Sequence, residues 1–198
     1  MITDLNSTLP KSASEAVEQL RDRFGATVLS SSEFRGEHTA VVPREFILGV
    51  CNFCRNDLAF NFLVDVSTVD NSGTDPRFEA VYHLYSYETN LHLRIKATIP
   101  EDDACIASVS SIWKTANWHE REAYDMMGVT FTKHPDLRRI LMWEGYPFYP
   151  LRKEFPLAGK SSEMPDVAFT GVAPLEGGPF VTSPGAGDTV RAEPRSHG

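Results

Sequence analysis

Residues Leu91 to Ile99 constrain the fold of this chain more than any other stretch. Leu91, Leu93, Ile95, Ala97 and Ile99 alternate with His92, Arg94, Lys96 and Thr98, and Pro100 stops the run. Alternation at period two means a strand with one face on a core and one in water, because successive side chains leave opposite sides of the backbone. Such a strand needs neighbours, and two lie upstream. In Phe60 to Thr68, the side chains Phe60, Phe62, Val64 and Val66 alternate with Asn61, Asp65 and Ser67; Phe78 to Tyr87 is an aromatic-rich run. Asn71-Ser72-Gly73 with Asp75-Pro76 breaks the chain between the first two runs, and Glu88 to Asn90 turns it between the second and third. The spacing predicts an antiparallel meander.

Helical patterns flank it. Ser12 with Glu15 three residues on is a capping-box pattern, Val17, Leu20 and Phe24 share a face, and Gly25 ends the run. Thr27 to Ser30 and Thr39 to Val42 read as short strands. Pro43 suits the first turn of a second helix reaching about Arg55. Further helices are predicted over Ala104 to Trp113 and from Asn117 to Met127, with a last short strand over Arg138 to Met142. At 41% hydrophobic the chain can bury a real core. The fold class that follows is α+β: one small domain over residues 12–142, with a mostly antiparallel sheet and helices packed on it, after a flexible N-terminus of residues 1–11.

Asn117 to Leu157 packs charge and aromatic residues together in an unusual way. A solvated surface does not need Trp118, Tyr124, Tyr146 or Phe148, and a core does not want the charges interleaved with them. Asn117 is a suitable N-cap with Glu120 at the capping-box position, and Gly128 stands where a left-handed C′ residue belongs. At 100° per residue His119, Ala123, Met126 and Met127 fall on one arc, and Trp118, Arg121, Glu122 and Asp125 on the opposite one. Arg121 and Asp125 have the i,i+4 spacing of an ion pair. The whole reads as a surface that becomes buried, against another protein or against the chain's own tail.

Beyond Trp143 the pattern changes. The last stretch holds eight of the thirteen prolines and eight of the thirteen glycines, and neither helix nor strand period survives. Yet Phe155, Met164, Val167, Phe169, Val172, Leu175, Phe180 and Val181 recur along it, anchors that a free linker lacks. Extended at ~3.3 Å per residue, it could reach ~180 Å. Residues 143–198 are therefore predicted to form an extended Pro/Gly-rich tail docking on a partner's surface.

Several functions are disfavoured. A net charge of −8 argues against a nucleic-acid binder or a polybasic membrane anchor. The start shows no leader pattern, and no apolar run approaches the ~18–20 residues that span a bilayer. Cys51-x-x-Cys54 lies one helical turn apart on an apolar face, with Cys105 far off and no second pair, so the cysteines read as structural thiols and not as a zinc or iron–sulfur site. His119, Glu120, Glu122, Asp125 and His134 lack the HExxH spacing of a metalloprotease. No phosphate loop, nucleophile elbow or dinucleotide fingerprint is present.

One ordered pattern remains. Glu120-Arg121-Glu122, Asp125, Met126-Met127, His134, Arg138 and Ile140-Leu141 follow one another at set intervals. Gly145-Tyr146-Pro147 and Pro150-Leu151-Arg152-Lys153-Glu154-Phe155-Pro156-Leu157 come after, with Asn61 to Asp65 and His92-Leu93-Arg94 upstream. This resembles the 30-kilodalton subunit family of respiratory complex I, whose bacterial members are the C-type subunits of NADH–quinone oxidoreductase. The resemblance covers roughly Val41 to Leu157. It implies a non-redox structural subunit of the hydrophilic arm, with no catalytic, cofactor or metal site in this chain. FMN, iron–sulfur clusters and quinone would sit on other subunits. The implied partners are the D-type subunit (the 49-kilodalton type) and also the B-type and I-type subunits, with the chain peripheral to the cytoplasmic side of a bacterial inner membrane. Candidate interface residues are Glu120, Arg121, Glu122, Asp125, His134, Arg138, Arg139 and Phe155. The alternatives are the equivalent subunit of a complex-I-like membrane-bound hydrogenase and, behind it, a free-standing metal-dependent enzyme.

Overall fold

The computed structural model describes residues 9–156. The chain divides into two units, Met1–Lys153 and Glu154–Gly198. The first carries all the regular structure among the described residues: helices α1 (Ala13–Phe24), α2 (Ile47–Asn56) and α3 (Ala116–Met127), and strands β1 (Ser30–Phe34), β2 (Glu37–Pro43), β3 (Phe62–Asp70), β4 (Phe78–Ser86), β5 (Leu91–Ile99), β6 (Cys105–Ala107) and β7 (Thr130–Thr132).

Five strands make one sheet in the order β1-β2-β5-β4-β3. The meander β3-β4-β5 is antiparallel throughout, as the alternation requires. It does not extend to β2, which pairs parallel with β5, and β6 with β7 forms a separate small parallel ladder. β5 spans the predicted residues. Its Leu93, Ile95, Ala97 and Ile99 are buried in one cluster with Ala80, Tyr82 and Leu84 of β4 and with apolar residues of all three helices. Each such aliphatic side chain taken out of water contributes ~1.5–3 kcal/mol. Arg94, Lys96, Glu79 and His83 stand half-exposed on the other side of the sheet.

β3 is where alternation alone misleads. Leu63, Val66, Thr68 and Asp70 are buried, whereas Phe62 and Val64 are exposed. The cause is a register shift against β4 between Leu63 and Asp65. One extra residue in a strand moves every later side chain to the other face.

Ser12 caps α1 by accepting the Glu15 N–H at 3.1 Å, and Gly25 follows at φ 58°. Pro43 ends β2 instead of opening a helix, and a short 3-10 turn, Arg44–Phe46, leads into α2. Cys51 and Cys54 of α2 are fully buried. Burial pushes both thiols up, so they stay protonated and inert.

Other expected elements differ. Thr27 to Ser30 is not a strand: a 3-10 turn, Gly25–Thr27, follows α1, and β1 begins only at Ser30. Ala104 to Trp113 is not a helix but β6 followed by turns. Serines compete locally with helical bonding, and the Val109 N–H is taken by the Glu120 carboxylate at 2.7 Å. Arg138 to Met142 is not a strand, because its N–H groups are drawn onto a single carboxylate described below. α3 starts at Ala116 with no side-chain cap, so Asn117 lies inside it. Its other end fits the pattern: Gly128 is left-handed at φ 74°. A Cβ there would stand 2.7 Å from the Tyr149 ring, so glycine is needed for close approach as well as for φ.

The compact unit also runs past the boundary at Met142 that composition suggested. Tyr146 is buried, the Leu151 N–H donates to the Met126 carbonyl at 3.1 Å, and Arg152 Nε donates to the Met127 carbonyl at 2.7 Å. The expected anchors from Met164 onward lie outside the described residues, as do residues 1–8 of the N-terminus.

Candidate functional site

The signature helix α3 spends most of its charge inside its own domain. Glu120 is fully buried: Oε2 accepts from the Ser108 hydroxyl at 2.6 Å and Oε1 from the Val109 N–H at 2.7 Å. Burial pushes this carboxyl up to about 7, with the two hydrogen bonds pulling the other way. The His134 ring stands 3.8 Å from Oε2, and both side chains have zero exposure. The Asp136 N–H donates to His134 Nδ1 at 3.0 Å, and Nε2 lies 3.1 Å from the Asn117 carbonyl. An accepting Nδ1 leaves Nε2 as the nitrogen that donates to the Asn117 carbonyl.

Asp125 is the second buried carboxylate. Its Oδ1 takes Arg139 Nη1 at 2.6 Å, and Oδ2 accepts the N–H groups of Ile140, Leu141 and Met142 at 3.0, 2.7 and 2.8 Å. Three consecutive amides aimed at one oxygen form a cradle that a strand could not supply, since strand amides point alternately to opposite sides. Arg139 also donates to the carbonyls of Asp125 and Tyr146 at 3.0 and 2.6 Å and lies over the Tyr149 ring. Arg121 does not pair with Asp125. It stacks on Trp118 with 5.2 Å to the ring centroid and donates to the Arg138 and Arg139 carbonyls at 3.1 and 3.2 Å.

The predicted site residues therefore separate into groups. Glu120 with His134, and Asp125 with Arg139 and Arg121, fasten residues 105–113 and 134–142 to α3. Glu122 and Arg138 face solvent, and Arg138 pairs with the neighbouring Asp136 at 2.9 Å. Phe155 falls in the second unit. Sequence reasoning missed a third buried cluster. Asp70 takes Arg77 in a bidentate pair at 2.8 and 2.9 Å, Arg77 reaches Glu101 at 2.5 Å, and the Lys153 N–H closes on Asp70 Oδ2 at 2.8 Å. The Arg77 hydrogen bonds hold the Asp70 carboxyl below the usual carboxylate range. The only signal was two opposite charges flanking the turn between β3 and β4.

Chemically, the buried carboxylates and imidazole of this arrangement are hydrogen-bonded within the domain and fasten its segments together. Among the described residues no group of three or more His, Cys, Asp or Glu side chains is placed to hold a metal ion. Nor is any helix among them long and apolar enough to cross a membrane.

Residues 40–161 match the family model described as respiratory-chain NADH dehydrogenase, 30 Kd subunit. The C-type subunit of NADH-quinone oxidoreductase from Geotalea uraniireducens is 48% identical over 148 residues, covering 75% of this chain and 90% of the relative. The corresponding subunit from Geobacter metallireducens is 51% identical over 149 residues, covering 75% and 92%. Among solved structures, a trypsin-resistant fragment of Nqo5 superposes with a TM-score of 0.54 at 28% identity, over 63% of this chain and 99% of the fragment. A chain of an archaeal membrane-bound sulfane sulfur reductase shares the fold, with a TM-score of 0.64 at 24% identity over 73% of this chain and 85% of its own length. The family match covers more than half of the chain and includes the whole of the signature helix and its two fastened loops, and the chain belongs to the respiratory-chain NADH dehydrogenase 30-kilodalton subunit family.

Proposed function

We propose that this chain is a non-redox, structural subunit in the hydrophilic arm of a proton-translocating NADH–quinone oxidoreductase, peripheral to the cytoplasmic face of a bacterial inner membrane. In this reading it packs against the 49-kilodalton, D-type subunit, with the B-type and I-type subunits nearby, and FMN, iron–sulfur clusters and quinone are held by those and other subunits.

The observation that carries the reading is the fate of the signature charges. Glu120, Arg121, Asp125 and Arg139 are consumed in holding residues 105–113 and 134–142 on α3, while Trp118 and Leu141 on the same helix and loop are left 59% and 60% exposed. Buried ionic networks that order a loop, beside large exposed apolar side chains, suit a surface shaped for a protein partner and not a pocket shaped for turnover. The test is affinity purification of the tagged full-length chain from its own membranes in mild detergent. A large complex with NADH–quinone reductase activity, containing the 49-kilodalton subunit, is the expected result. Recovery of the chain alone, or with a hydrogenase large subunit, would contradict it.

A further inference from the structure

Between α3 and the edge strand β3 lies a groove of about 140 Å³. Ligand pockets for cofactors or drug-sized molecules start at about 300 Å³, so this one is sized for a single side chain. Its lining includes the apolar side chains of Val66, Ala123, Met126 and Leu151 and two acidic residues, Asp65 and Glu122. Asp65 is met by His119 Nδ1 at 3.1 Å. Glu122 is exposed and makes no hydrogen bond or ion pair among the described residues. Thr68 also lines the groove, with its hydroxyl buried and without a hydrogen-bond partner among the described residues.

The groove is bordered by an interface-like surface. Trp118 and Glu122 stand at i and i+4 and so lie side by side on the exposed part of α3. Trp118 and Leu151 are 59% and 56% exposed. Trp is among the residues that most often dominate binding at interfaces. We infer that this groove receives a lysine or arginine side chain from a neighbouring subunit, its aliphatic stem lying over Met126 and Leu151 and its charged head reaching Glu122. Long cationic side chains lie on apolar surface in this way while their head groups find an anion. The inference rests on the subunit reading proposed above and assigns a partner chemistry to one face of that subunit. It also selects among the signature carboxylates: Glu120 and Asp125 are already satisfied within the domain, and Glu122 is the one left for a partner.

The test uses the full-length tagged chain expressed with the rest of its complex. Glu122→Lys is expected to lower recovery of partner subunits about tenfold or more, and Glu122→Gln by less, because reversal adds repulsion to the lost attraction. The melting curve of the isolated chain should not move for the Glu122 variants. If Glu122→Lys does disturb the melt, the comparison passes to Glu122→Gln, which keeps the shape. A photoreactive benzoylphenylalanine in place of Trp118 should capture a peptide of another subunit that contains Lys or Arg. Wild-type recovery for both Glu122 variants would overturn the inference, as would capture of a second copy of this chain or of a peptide without a basic residue. Failure of the wild-type chain to recover any partner would instead remove the subunit reading itself.

Discussion

Asp125→Ala removes the anion around which residues 138–142 are wound, and its cost follows from the geometry. The change leaves Arg139, whose side chain is only 12% exposed, without its carboxylate, and leaves three amides without their acceptor. Breaking a buried ion pair from one side costs ~3–5 kcal/mol. Each amide that cannot find water adds up to ~1–3 kcal/mol, although a loosened loop lets water reach some of them. A total of ~5 kcal/mol is close to the whole stability of many domains. For a domain of this size that corresponds to a fall in Tm of ~10–20 °C. Asp125→Asn keeps one acceptor oxygen and should lose about half as much. Circular dichroism melting of the isolated chain, with urea unfolding as a second probe, measures both. An Asp125→Ala variant melting within ~3 °C of wild type would refute the assignment of Asp125 as the hub of this loop.

Other expectations follow from the same contacts. Glu120 has its folded carboxyl raised from 4.5 to about 7, so its contribution to stability is fully present below 4.5 and is lost as pH rises through 7. The loss is ~3 kcal/mol at most, and Glu120→Gln should flatten stability against pH in that window; an unchanged slope would contradict the raised carboxyl that burial produces. Asp70 acts in the opposite direction: its carboxyl is depressed, so its contribution is present above 3.8 and is lost as pH falls through the lowered folded value, and Asp70→Asn should lower stability at neutral pH and flatten its fall in acid. Gly128→Ala, where the new Cβ meets Tyr149 and Arg152 at 2.7 Å, should cost ~1–2 kcal/mol of left-handed strain plus displacement of residues 149–152. Gly73→Ala, at φ 88° with nothing within 4 Å, isolates the strain, and equal melting of the two variants would remove the packing argument.

What the sequence made legible is what depends on neighbours a few residues away. β5 is legible because its alternation is set by one buried face, and the ends of α1 and α3 because Ser12 and Gly128 act on their own helices. Residues 105–113 were not legible: the side chain that takes the Val109 N–H belongs to Glu120, on an element that follows. The face of β3 was hidden by a bulge that leaves no composition signal. Arg121 and Asp125 have the spacing of a helical pair, but spacing only permits contact. Asp125 found a better arrangement in Arg139 and three amides fourteen to seventeen residues on, and Arg121 turned to carbonyls. The family was readable from the order of the signature residues. The division of labour among them, with Glu120 and Asp125 turned inward and Glu122 outward, needed the packing.

The central claim is that this chain supplies shape and contact surface while other subunits handle the electrons. Its most direct test is the iron, zinc and flavin content of the purified full-length chain, measured with its visible absorption spectrum. A colourless protein with none of these at stoichiometric level is the expected result. Bound iron or flavin at one per chain, or oxidation of NADH by the chain alone, would contradict the account.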